Sequence, residues 1–268
     1  MDPRLKQLDF RTLALSIPDF LMPRVCLCCG RALLPCEQQL CCVCMADLPL
    51  THFERMIHNP MADKYNALIK APKYEKASAL FYYSGDYEKI TQALKYGRNF
   101  AAGRWFARML GDVLADAGWK ADLVCPVPLH WTRHFTRGYN QAGIIGKEVA
   151  VSLGAPFEAR LLRRSRRTDT QTRLNDGQRA RNVAGAFEVR KGIKRLRAAP
   201  EAGPATSVLA DLPLRPSNAG PWPPVSAKVL LIDDVFTTGA TLASCTAALR
   251  DALGPDISIN IATLAYVE

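Results

Sequence analysis

A chain of 268 residues can bury one α/β core with a small added module, and 49% hydrophobic with 22% charged residues is the balance of an ordinary globular protein. No stretch reaches the ~18 uncharged apolar residues of a membrane span. Charges scattered through the first twenty residues exclude a secretory h-region, so the expected location is the cytoplasm. The net charge of +10 is concentrated: residues Arg160 to Arg197 hold 13 basic and 3 acidic side chains, and elsewhere the signs balance at 22 each.

In chain order, Leu5–Ile17 reads as a weakly amphipathic helix docked on the rest of the protein. Next comes Cys26-x-x-Cys29, eleven residues, then Cys41-x-x-Cys44. Two such knuckles offer four thiolates in the tetrahedral set that Zn²⁺ prefers, and Gly30 suits the tight turn of a knuckle. Seven of the nine cysteines lie between Cys26 and Cys44, so Cys28 or Cys42 could replace a neighbour and Cys36 could be a spare thiol. In a reducing compartment this cluster reads as a structural metal site rather than a disulfide framework. Residues 1–60 are expected to form this module and 61–268 the main domain.

Within the main domain, residues 77–84 alternate like a strand, and helices are expected over Tyr87–Lys95 and Ala101–Ala117. The first ends in the basic cluster Leu94-Lys95-Tyr96-Gly97-Arg98 and the second at Gly118. Asp122–Cys125 reads as a core strand running into Pro126-Val127-Pro128-Leu129-His130. Arg133 and Arg137 follow on that rigid turn, where two guanidinium groups suit a diphosphate. Gly138-Tyr139-Asn140-Gln141 then starts a helix that continues to Leu153. Phe157–Leu162 is expected as a short strand and Gly185–Val189 as another, with a basic, apolar-poor loop between them. Residues 191–227 carry 7 of the 18 prolines without periodicity and read as a disordered insertion.

The richest stretch is Lys228–Leu253. Val229-Leu230-Leu231-Ile232 is a buried-strand signal, followed by Asp233-Asp234, by Thr237-Thr238-Gly239-Ala240-Thr241, and by a helix with Leu242, Cys245 and Leu249 on one face. A strand, a small-residue turn and a helix make an anion site, because the helix N-terminus offers unpaired N–H groups and partial positive charge. The acids need another partner, for which ribose hydroxyls or a hydrated Mg²⁺ are suitable. A Walker-type nucleotidase is excluded for want of a G-x-x-x-x-G-K-[ST] loop: Gly143, Gly146 and Lys147 have the wrong spacing.

This segment resembles the phosphoribosyl pyrophosphate (PRPP) motif of type I phosphoribosyltransferases, and the expected fold is theirs: a mostly parallel α/β sheet flanked by helices. The resemblance implies that Asp233 and Asp234 hold the ribose hydroxyls and that Thr237, Thr238, Gly239, Ala240 and Thr241 cradle the 5′-phosphate, with Pro128 and Arg137 near the diphosphate.

Taken whole, the chain resembles the ComF family. The carrying features are the four-Cys module, Leu94-Lys95-Tyr96-Gly97, Pro126-Val127-Pro128-Leu129-His130 with Arg137 and Asn140-Gln141, and the loop signature of Arg164, Arg166, Thr168, Gln171 and Arg181-Asn182-Val183. That resemblance implies a cytoplasmic accessory protein for DNA uptake, binding PRPP and single-stranded DNA, with a ComFA-type helicase as partner. Three readings stay open. One is a PRPP-binding, DNA-handling protein. Another is an active phosphoribosyltransferase in which Mg²⁺, Arg133 and Arg137 neutralise the departing diphosphate. The third is a zinc-stapled interaction module whose PRPP site is vestigial.

Overall fold

The structure is a computed structural model that describes residues 24–70, 73–95, 99–129, 139–165, 185–190 and 227–268. The expected helix at Leu5–Ile17 lies outside them, as does the expected insertion apart from Ala227, which is fully buried where the next strand begins.

Four strands form one parallel sheet: β1 (Ala77–Tyr82), β2 (Leu123–Pro126), β5 (Lys228–Phe236) and β6 (Ser258–Tyr266), in the order β1-β6-β5-β2. The central strands are apolar on both faces, as a sheet covered on both sides requires. Along β5, Leu230 and Ile232 enter one core while Val229 and Leu231 enter the other. Helices α3 (Glu88–Lys95), α4 (Phe100–Asp116) and α5 (Gln141–Ser152) contribute Leu94, Phe106 and Ile145 to the first core. Helices α2 (Pro60–Ile69) and α6 (Ala240–Leu253) contribute Tyr65 and Leu249 to the second.

Two findings depart from the sequence expectations. Strand β6 sits between β1 and β5, with Asp233 in register with Thr263, although its run SINIATLAY carries no motif. The strand expected over Phe157–Leu162 lies further along, as β3 (Leu162–Arg164), paired antiparallel with β4 (Phe187–Val189). Phe157 makes only a single bridge to Val124. Burial of Leu161 and Leu162 and the Arg163–Glu188 ion pair (2.8 Å) fix the pairing there instead. Helix α2 also went unread, although Asn59 caps it, accepting from Ala62 N at 2.8 Å, and Pro60 opens it, a start signal visible in the sequence.

The cysteine-rich segment, which ends in the short helix α1 (Cys42–Ala46), is joined to the sheet rather than hung beside it. Cys26, Cys28, Leu40 and Cys41 enter the first core. Lys89 Nζ donates to the carbonyl of Cys28 (2.7 Å) and Tyr87 Oη to that of Cys44 (3.2 Å). Further along, Tyr82 N donates to Pro49 O (2.9 Å) and Trp119 Nε1 to Glu54 O (2.9 Å).

Candidate functional site

Strands β2 and β5 are neighbours, yet the helices that follow them cover opposite faces: α5 lies on the first core and α6 on the second. Such a reversal opens a crevice beyond the carboxyl ends of the strands. A cleft of about 430 Å³ lies there, walled by the turn after β2, the start of α5, the end of β5 and the turn into α6.

Asp233 and Asp234 both line it. They continue the extended backbone of β5, so a rigid strand fixes their positions. Asp234 N donates to Asp233 Oδ1 (2.9 Å), and Lys95 Nζ lies 3.2 Å from Asp234 Oδ2. Burial, and after it the adjacent Asp234, pushes the Asp233 carboxyl up to about 8, against the opposing pull of the Asp234 amide and Lys95. Two acids so close together favour a ligand that brings hydroxyl donors or a cation.

The turn Thr237–Gly239 joins β5 to α6. Gly239 occupies the N-cap position at φ +75°, in the left-handed region, where a Cβ would come within 2.7 Å of Phe236 Cζ. Among the described residues no side chain caps α6, which leaves its first N–H groups able to take an anion. Thr237 and Thr241 line the cleft, whereas Thr238, Gly239 and Ala240 shape the turn without lining it. Across the cleft Pro128 lies on the wall. Asn140, at the N-cap of α5, turns its amide to Val127 O (3.0 Å) instead of capping, and Val127 N donates to Ile232 O (2.8 Å).

Of the remaining residues expected at the site, Arg164 lines the cleft, its guanidinium 5.3 Å from the centre of the Phe187 ring. Arg133, Arg137, Arg166, Thr168, Gln171 and Arg181 lie outside the described residues. Among the wall residues given no role from sequence are Tyr83, Lys95 and Gln141. Gln141 is 2% exposed and its Nε2 has no partner among the described residues. Lys95 was visible as part of a basic cluster and of the stretch Leu94-Lys95-Tyr96-Gly97, but nothing local to it points to Asp234.

Against the first core, the sulfurs of Cys26, Cys29, Cys41 and Cys44 all lie within 4.8 Å of one another, a group that could hold a metal ion. The Cys29–Cys41 separation of 3.7 Å matches the edge of a tetrahedron with ~2.3 Å metal–sulfur bonds. Gly30, at φ +74°, lets its N–H return to Cys26 O (2.9 Å), and Cys44 N donates to Cys41 Sγ (3.4 Å). The spacing left the choice of ligands open; of the other three cysteines in the segment, Cys28 is buried and Cys36 and Cys42 are exposed, and none belongs to the cluster. Burial opposes ionisation of Cys26, but amides of Cys29, Cys41 and Cys28 outweigh it and bring the thiol down to about 6. Glu37 braces the segment, accepting from the amides of Leu34 and Cys42 (both 2.7 Å) and from Arg31 (3.2 Å).

No protein-family model matches the chain. It is 28% identical over 190 residues to "Competence protein F" of Haemophilus influenzae, covering 69% of this chain and 71% of that protein. It is 25% identical over 224 residues to "DNA utilization protein YhgH" of Salmonella typhimurium and of Escherichia coli K12, covering 82% and 81%. Among solved structures it is similar to adenine phosphoribosyltransferase of Leishmania tarentolae, with TM-score 0.29 and 16% identity over 73% of this chain and 81% of that one. The Trypanosoma brucei enzyme, in complex with AMP, pyrophosphate and ribose-5-phosphate, gives 0.30 and 15% over 78% and 80%. Likenesses that low carry no residue correspondence. The chain's own architecture, a parallel sheet with an acid pair and a Thr/Gly turn at its carboxyl edge, is the type I phosphoribosyltransferase arrangement that the motifs led us to expect.

Proposed function

We propose, for this ComF-family chain, that the cleft binds PRPP or a related phosphoribosyl compound and that the protein acts as an accessory factor in DNA uptake or utilisation. One observation carries the ligand reading: the acid pair and the uncapped start of α6 face a single cleft. A sugar carrying a phosphate spans those two chemistries. Asp233 and Asp234 accept from its hydroxyls, and the α6 amides with Thr237 and Thr241 receive its phosphate. The same carboxylates suit a Mg²⁺ accompanying a diphosphate, which would supply charge neutralisation there. The α5 start, where Gln141 lies, and Pro128 leave room for the diphosphate on the opposite wall.

The test is thermal. PRPP with Mg²⁺ at ~100 times its dissociation constant is expected to stabilise the protein by about 2.7 kcal/mol, and Asp233→Asn/Asp234→Asn to abolish the shift. A protein indifferent to PRPP and to ribose 5-phosphate overturns the reading. For the four-cysteine cluster we propose a structural Zn²⁺, to be checked by metal analysis of the purified protein.

The DNA role draws on the names of the two relatives and on the basic residues between Arg160 and Arg197. Binding of a single-stranded oligonucleotide is expected to weaken steeply with added salt, as phosphate-tracking contacts do. Binding that ignores salt argues against those contacts. A second reading, transfer of the ribose 5-phosphate to a nitrogen acceptor, is favoured by the tyrosine ring of Tyr83 on the wall, a surface for a planar acceptor. Diphosphate released only when an acceptor is added would establish turnover.

A further inference from the structure

The ion pair between Lys95 and Asp234 differs from the surface pairs of this protein. Its side chains are 23% and 17% exposed, and it reaches from the end of one helix to the last residues of the central strand β5. The end of α3 is built to hold it there. The carbonyl of Leu94 accepts from Tyr139 Oη, and the Tyr139 ring meets Phe100 edge-on at 4.6 Å. The Leu94 side chain packs where Gly103 leaves room, since a Cβ at 103 would lie 2.4 Å from Leu94 Cδ1. Lys95 is thus steered over the acids by contacts it does not itself make.

Two neighbouring carboxylates half-removed from water repel each other, and a cation beside them offsets that repulsion. A divalent ion arriving with a diphosphate supplies that cation only for ligands that carry one. The other ionisable side chains on the described walls are Tyr83 and Arg164, and Arg164 lies over the Phe187 ring. Lys95 alone is seen within ion-pair distance of the acids among the described residues.

We infer that Lys95 is a positioning residue acting through Asp234, a tethered cation that offsets the repulsion within the acid pair and holds Asp234 aimed at sugar hydroxyls, so that a phosphoribosyl group without a diphosphate binds without Mg²⁺. The inference rests on the phosphoribosyl reading of the cleft and goes beyond it. It sets the ligand class by what the site tolerates: sugar monophosphates as well as diphosphate-bearing donors.

The experiment is calorimetric titration of the full-length protein with ribose 5-phosphate, in EDTA and again in millimolar Mg²⁺, for wild type, Lys95→Met and Lys95→Arg. Wild type is expected to bind equally in both buffers. Lys95→Met is expected to lose about ten- to a hundred-fold in affinity in EDTA, the worth of a charge-assisted contact, and to recover much of it in Mg²⁺. Lys95→Arg is expected to stay close to wild type in both. Lys95→Met binding like wild type in EDTA overturns the inference while leaving the wild-type titration, and so the ligand reading, intact. Equal loss in both buffers without rescue by arginine makes Lys95 merely structural and overturns it too. Wild type silent toward ribose 5-phosphate in both buffers removes the ligand reading and this inference together.

Discussion

The four-cysteine cluster and the cleft are assembled in opposite ways. The cluster draws its four sulfurs from one short segment, Cys26 to Cys44, and local turns aim them. The cleft collects side chains from the ends of β1, α3, β2 and β5 and from the starts of α5 and α6. A local site can organise its segment once metal is bound, whereas a dispersed site exists only after the sheet has formed. Damage to the first should therefore appear chiefly as lost stability, and damage to the second chiefly as lost binding.

The largest effect that would separate them is Cys41→Ser. It is expected to strip the metal and to lower stability by several kcal/mol, a fraction of what zinc supplies to isolated fingers, while any PRPP-dependent shift survives at low temperature. Metal analysis with thermal unfolding checks both halves; retained metal would make the four-sulfur assignment wrong. Next comes Asp233→Asn/Asp234→Asn, which should cost about 3 kcal/mol or more in ligand binding, roughly a hundred-fold, with the free protein at least as stable as wild type.

The stability of the free protein depends on the proton held by Asp233. The Asp233 carboxyl is pushed up from 3.8 to about 8 in the folded protein. Between those values the native state holds the proton more tightly than the unfolded chain does, so stability falls as pH rises through the window. Asp233→Asn should flatten the melting temperature against pH between about 4 and 8. An unchanged slope would mean that Asp233 is not the group responsible. The cleft is thus a place where the free protein gives up stability that a ligand or cation restores.

Gly239→Ala tests the turn itself. A residue with a Cβ at φ +75°, crowding Phe236, should cost about 1–2 kcal/mol of stability and weaken phosphate binding as well. Smallest is Tyr65→Phe, remote from both sites. It removes the hydrogen bond between the Tyr65 and Thr246 hydroxyls (2.7 Å) and the one Tyr65 Oη donates to Ile259 O (3.1 Å), should cost about 1 kcal/mol, and should leave metal and ligand binding untouched. Chemical denaturation resolves all of these on one scale.

What could be read in the sequence follows the same division. The β5–turn–α6 unit was legible because each of its signals is local: four apolar residues, two acids, a Thr/Gly turn and a helix face. The double C-x-x-C was equally plain, but the choice among seven cysteines was not, because spacing does not say which way a thiol points once Gly30 turns the chain. Strand β6 was missed because a buried parallel strand is simply apolar, and its place between β1 and β5 belongs to the sheet rather than to its own residues. The pairing of Lys95 was the least legible. It depends on an acid far along the chain and on Tyr139, Phe100 and Gly103, which pack at its helix end.

The two solitary cysteines have a practical consequence. Cys125 and Cys245 are fully enclosed, and burial drives both thiols upward, that of Cys125 to about 12. They are therefore silent toward electrophiles while the chain stays folded. A maleimide or a mild oxidant applied to the native protein will report on the segment from Cys26 to Cys44 only, where the exposed Cys36 and Cys42 set a background and any slower fraction belongs to the four clustered sulfurs.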